Sequence, residues 1–318
     1  MTSASRVHSK DGPGFRKDRP AGPSRPEHRP ALLLAAVLFL LVAAPGVGLA
    51  QPDCSQDTRT VALPDPVSGR QYEIQVSLPD GFADHPDRLW PLVILADGGR
   101  AFPHLSCIGR RLAREAAITA DPVIVGLSYA AGEDFENSRR RDYTPVPRAG
   151  SRLAYGGATA YQGYLRDVVL PHVETAFRTD PGRRLFWGHS YGGLLGAHIL
   201  LTAPQMFQTY MLGSASFWYE DGAIHAFEDA YAARHTRLEA RVLLYVGGQE
   251  VSRYDRARKG HTRDMVAGMQ AFEARLRGRN YEGLRLASAV MAGRDHRSAV
   301  RPGFEWALSG ERDDGPGR

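Results

Sequence analysis

The chain has 318 residues, 43% of them hydrophobic and 24% charged, a balance that excludes wholesale disorder and allows one large α/β domain or two smaller ones. Its net charge of +5 is concentrated in the first thirty residues. The remainder is close to neutral, which argues against a nucleic-acid partner.

In chain order, residues 1–30 are polar and rich in Pro, Gly and Arg, and read as a disordered basic arm. Residues 31–50, ALLLAAVLFLLVAAPGVGLA, carry no charge. A basic stretch, an apolar run and the small-residue end Gly48-Leu49-Ala50 have the form of a secretory signal peptide. A single membrane anchor is the rival reading, because an apolar run of this length just spans a bilayer. The expectation is a periplasmic or secreted protein, or one anchored to the inner membrane by residues 31–50, with no other membrane contact. The two cysteines, Cys54 and Cys107, either pair in such a compartment or stay as free thiols. Neither has metal-ligand spacing.

A regular pattern begins near residue 58. QYEIQVSLP (71–79) alternates apolar and polar residues and predicts an antiparallel or edge strand. WPLVILADGG (90–99) and DPVIVGLSY (121–129) are continuous apolar runs, as strands buried on both faces require. Between them CIGRRLAREAAI (107–118) has helical spacing. TAYQGYLRDVVLPHVETAF (159–177) is an amphipathic helix that Pro171 should bend or break. RRLFWGHS (183–190) is a strand, LLGAHILLTAP (194–204) a helix, and FQTYMLGSAS (207–216) and RVLLYVGGQE (241–250) strands ending in small residues. The stretch 220–240 is long enough to add a helix near the strand ends. A helix over 262–278, a strand and loop in LRLASAVMAGRDH (284–296) and a helix over 298–308 complete the series. Strand and helix alternate without a linker, so residues 55–308 form a single doubly wound α/β domain with a mostly parallel sheet, and 309–318 read as a disordered tail.

The chemistry centres on Gly188-His189-Ser190-Tyr191-Gly192, placed between a predicted strand and a predicted helix. Flanking glycines permit a sharp turn that lifts the serine out of the sheet, so Ser190 is the candidate nucleophile. The main-chain N–H of Tyr191 then lies at a helix start, where it can face an oxyanion. A serine hydroxyl needs a base. Of eleven histidines, His296 follows the last predicted strand, and serine first with histidine in the final loop is the order of an α/β-hydrolase sheet. His189 adjoins Ser190 but points away from it on such a turn, and His198 reads as helix packing. For the acid that orients His296, Glu250 is the first carboxylate after RVLLYVGG; Asp255, Asp295 and a Ser–His pair with no acid stay open. Gly99, after a buried strand, is the second candidate oxyanion donor. Arg139, Arg140 and Arg141 lie in an otherwise structureless loop, from which one can reach an anionic substrate or the oxyanion.

With these residues the chain resembles the putative esterase (esterase D-like) family of α/β-hydrolases, and within it the periplasmic esterases of enterobactin- and salmochelin-type siderophores. The resemblance rests on LADGG, VGLSY, RRRDYTP, YGGATAYQGYL, WGHSYGGLLGAHILLTAPQMFQTYMLGSASFWY, VGGQE and GRDH, which span most of residues 60–305. It implies a three-layer α/β-hydrolase sandwich and serine-dependent hydrolysis of a small-molecule ester, with no metal or organic cofactor. By motif, Ser190 matches the nucleophile, His296 the base, and Gly99 with Tyr191 the oxyanion donors. Arg139, three residues before the Asp of DYTP, stands at the family's arginine position beside them. Two other functions compete. One is an acyltransferase of the same fold that moves an acyl group to a sugar or lipid alcohol. The other is a non-catalytic binding protein on a hydrolase fold.

Overall fold

The computed structural model describes residues 58–252 and 263–310. The expected basic arm, the apolar segment 31–50, Cys54, Asp255 and residues 311–318 of the expected tail lie outside them. The chain divides into two units, 1–50 and 51–318, and every element below belongs to the second.

Eight strands run in the order β1 Thr58–Ala62, β2 Glu73–Ser77, β3 Trp90–Leu95, β4 Val123–Leu127, β5 Thr179–His189, β6 Thr209–Gly213, β7 Arg237–Gly247 and β8 Glu282–Met291. They form one sheet with the spatial order β1-β2-β4-β3-β5-β6-β7-β8. β2 is antiparallel to both β1 and β4, as the alternation of QYEIQVSLP predicts. All other neighbours are parallel. The helices are α1 Gly98–Arg114, α2 Phe135–Tyr143, α3 Ala158–Tyr164, α4 Leu170–Phe177, α5 Tyr191–Thr202, α6 Ile224–Ala232, α7 Met265–Arg279 and α8 Val300–Ser309. This is the α/β-hydrolase fold.

Strand alternation splits the core in two. Leu92, Ile94, Phe186, Leu212, Val242 and Leu244 pack with buried residues of α3 to α7 on one face. Their neighbours Val93, Leu95, Leu185, Trp187, Met211 and Leu243 pack with α1 and α8 on the other. Both faces are covered, which is why β3, β4 and β6 are buried along their whole length.

Two elements depart from the sequence expectation. α1 starts at Gly98 rather than near Cys107, because the Gly-Gly pair that reads as a turn is the first turn of the helix. The arginine stretch is no loop: it lies on α2, capped by Asp134, whose carboxylate accepts the N–H groups of Glu136 and Asn137. The α-helix is interrupted just before Pro171, as expected of that proline. A π turn at Leu165–Val169 joins α3 to α4, and its wider spacing accommodates a proline that has no N–H to give.

The sequence order reverses between β3 and β5, neighbours in the sheet. Ligands of open α/β sheets bind at the carboxyl ends of strands at such a switch point. α1 leaves β3 there and α5 leaves β5.

Candidate active site

Ser190 sits on the turn between β5 and α5 with φ 59° and ψ −119°, a conformation that L-residues rarely adopt. The turn is held by Ser190 N–H to the Gly213 carbonyl (2.9 Å) and by Leu194 N–H and Ser216 N–H to the Ser190 carbonyl (3.0 and 3.1 Å). Its glycines have steric reasons. A Cβ at Gly188 would lie 2.1 Å from the Gly192 carbonyl oxygen, and one at Gly193 would lie 2.8 Å from the Ala215 side chain. The serine is thus forced up at the sheet edge, where its Oγ lies 3.4 Å from Ser216 Oγ.

His296 is in the loop between β8 and α8, and its Nδ1 lies 2.6 Å from Glu250 Oε2. Glu250 follows β7, and its other oxygen accepts Ser214 Oγ–H (2.6 Å) and Gly247 N–H (2.8 Å). With three donors converging on it, the carboxylate is fixed and its side chain is 5% exposed. Bonding through Nδ1–H leaves His296 Nε2 as the acceptor for a proton. Of the candidate acids, Asp295 instead accepts the N–H groups of Arg297 and Ser298 and the Ser298 hydroxyl. Gly247 is required here as well, since a Cβ would meet the Arg294 carbonyl at 2.6 Å and Glu250 Oε1 at 2.8 Å.

Ser190, Tyr191, Ser216, Trp218, Glu250 and His296 line one cavity of about 410 Å³. Among the described residues no hydrogen bond joins Ser190 to His296. Such bonds are commonly long in unliganded enzymes and tighten around substrate.

Gly99 and Tyr191 occupy the opening turns of α1 and α5, where N–H groups have no acceptor within the helix. The two openings are close: a Cβ at Gly192 would lie 3.0 Å from Ala96 Cβ and 3.3 Å from Asp97 Oδ2. Arg139 has a different place from the one its sequence position suggests. Its Nε and one terminal nitrogen grip Asp97 Oδ1 and Oδ2 at 2.6 and 2.9 Å, and that terminal nitrogen also donates to the His189 carbonyl at 3.1 Å. Burial works against its charge, yet Asp97 holds the guanidinium above its ordinary value. Arg139 therefore clamps the end of β3 to the nucleophile turn. Arg140 bonds Asn137, and Arg141 bonds Asp142 and Glu133.

The Putative esterase family matches residues 66–285 of the chain. The chain belongs to this family. That family makes it an ester hydrolase, with Ser190, His296 and Glu250 as its candidate catalytic residues. The chain is 28% identical over 253 residues to the ferri-bacillibactin esterase BesA of Bacillus subtilis, a match covering 73% of this chain and 86% of that one. With the siderophore triacetylfusarinine C esterase of Aspergillus fumigatus it shares 35% identity over 156 residues, 48% of this chain and 53% of that protein. Among solved structures, the siderophore hydrolase EstB of Aspergillus nidulans superimposes with a TM-score of 0.71 at 25% identity, covering 82% of this chain and 97% of EstB.

Within this esterase, three contributors escape sequence reading. Ser214 and Ser216 follow β6 in a stretch that reads only as a small-residue strand end, with Ser214 at φ 39°. His189 does point away from Ser190, but not into idle packing. Its Nε2–H donates to the His296 carbonyl (2.8 Å), and its ring centroid lies 4.6 Å from that of His296. Burial, then the nearby His296, push its pKa well down, so it is neutral. Cys107 is disulfide-bonded; the chain's other cysteine, Cys54, lies outside the described residues.

Proposed function

We propose that the protein hydrolyses ester bonds of siderophores through an acyl-enzyme on Ser190. The Glu250–His296 pair, opening on the same cavity as a strained Ser190, carries this reading. The relatives that match most of their own length or of this chain are named for siderophore esters, which supports the substrate class.

In this mechanism Ser190 Oγ attacks the ester carbonyl carbon while its proton passes to His296 Nε2. The carbonyl oxygen becomes an oxyanion facing the first-turn N–H groups of α5 and α1, with Tyr191 and Gly99 as donors. Collapse breaks the carbon–oxygen bond, and His296 gives its proton to the departing alcohol. Water then attacks the acyl-Ser190 with His296 again as base, releasing the carboxylic acid and restoring the serine. Glu250 stabilises the imidazolium at both stages. The apolar segment 31–50 supports export or anchoring as the setting.

The Ser190→Ala protein tests the reading. It should lose hydrolysis of both p-nitrophenyl butyrate and a triester siderophore by on the order of a thousandfold or more. Full turnover by this variant would end the assignment. Turnover of aryl esters alone by the parent enzyme would end the siderophore substrate.

A further inference from the structure

A second, larger cavity of about 750 Å³ shares His296 and Arg297 with the first. Its wall carries Arg100 and His104 from α1, Arg294 and Arg297 from the β8–α8 loop, and Arg301 from α8. One carboxylate, Glu305, faces these cations, and it already accepts Arg111 and Arg301. Among the described residues no carboxylate lies within ion-pair distance of Arg100, Arg294 or Arg297. Asp295 lies between two of them in sequence, but its Oδ1 is taken by the N–H groups of Arg297 and Ser298 and by the Ser298 hydroxyl, no ion pair joins it to either arginine, and it lines the first cavity rather than the second. Elsewhere on the molecule exposed arginines hold acids, as Arg114 holds Asp80, Arg183 holds Asp180 and Arg237 holds Glu239. Arg100 stacks on the Phe135 ring at 4.5 Å, which leaves its charge without a counter-ion. Three cations without an acid, lining one cavity beside the base, concentrate anions there.

We propose that this second cavity is an anion subsite. It holds an oxyanion-bearing part of the ester substrate, of the carboxylate class, while the ester carbonyl lies at Ser190. Guanidinium forks suit paired oxygens, and three of them around a roomy cavity suit a multiply charged group better than a single carboxylate. The subsite rests on the ester-hydrolase reading for its purpose, though not for its charge. It gives the enzyme a preference for esters that carry negative charge beyond the scissile bond, and that preference weakens as salt rises.

The experiment compares three esters on the parent and on the Arg100→Gln/Arg294→Gln double variant. They are neutral p-nitrophenyl butyrate, mono-p-nitrophenyl glutarate with its charge in the acyl part, and 3-carboxy-4-nitrophenyl acetate with its charge in the leaving group. The parent should favour one charged ester, and the ratio of its kcat/KM to that of the neutral ester should fall about tenfold in the double variant. Whichever charged ester responds identifies the end of the substrate that enters the cavity. An unchanged ratio, or a parallel fall for all three esters, overturns the proposal. Citrate binding to the Ser190→Ala protein, followed by calorimetry, separates this from failure of the esterase reading. The Kd should rise about tenfold when both arginines are replaced, and equal or absent binding in the two proteins likewise overturns the subsite.

Discussion

His189 shows how one side chain can serve the site without touching substrate. It stands between Gly188 and Ser190, yet its imidazole reaches the carbonyl of a residue on the last loop. It therefore ties the position of the base to that of the nucleophile turn. Removing the bond in His189→Leu should lower kcat/KM by about twofold to tenfold, the range of one net hydrogen bond, mainly in kcat. His189→Gln retains an N–H donor and should recover part of the loss. Equal kcat in the two variants, measured with p-nitrophenyl butyrate, would show that only packing is at stake. At the same scale, Glu250 owes its fixed orientation to Ser214 and the Gly247 N–H as much as to His296. Those donors come from two different strand ends, so no spacing in the sequence announces them.

Among the elements, α5 carries the site and depends on close approach to the sheet. A Cβ at Gly196 would lie 2.5 Å from Leu212 and 2.7 Å from Phe186, both in the strands beneath. Gly196→Ala should push the helix off the sheet and cost about 1 to 3 kcal/mol, readable as a lower urea midpoint. An unchanged midpoint would mean that the helix moves freely. The strands beneath were open to sequence reading because burial on both faces leaves unbroken apolar runs such as WPLVIL. Ser190 was legible for a related reason, since it follows such a run, LFWGH, at the end of β5; His296 follows the half-exposed last strand, and was legible from its place after Ser190 in chain order. α2 was hidden because FENSRRRDY has no apolar periodicity, and its helix comes from the Asp134 cap and charged partners instead. The role of Arg139 was hidden with it, since only the folded chain brings α2 over the end of β3. Choosing Glu250 over Asp295 likewise required seeing that Asp295 is engaged by Ser298.

At the scale of the whole molecule, the buried histidines predict an acid limb of stability. His198 is fully buried, with Thr159 as the partner of its Nε2 at 3.2 Å, and burial pushes its pKa down to about 4. Between an unfolded value near 6.5 and that folded value, the unfolded chain binds more protons, so stability must fall as pH falls. The slope from this one group approaches about 1.4 kcal/mol per pH unit. Urea midpoints measured from pH 7 to 4 should show it, and His198→Leu should flatten the limb; an identical limb in the variant would contradict the assignment. The row of strained turns has a consequence at the same scale. β3, β5 and β6 are neighbours, and each is followed by a non-glycine residue at positive φ: Asp97 at 60°, Ser190 at 59° and Ser214 at 39°. One of these carries the candidate nucleophile, one anchors the arginine clamp and one steadies the acid. Glycine would relax the backbone at every one of them and would remove the group that acts there. Along this edge selection for a sturdier protein and selection for a working one pull in opposite directions.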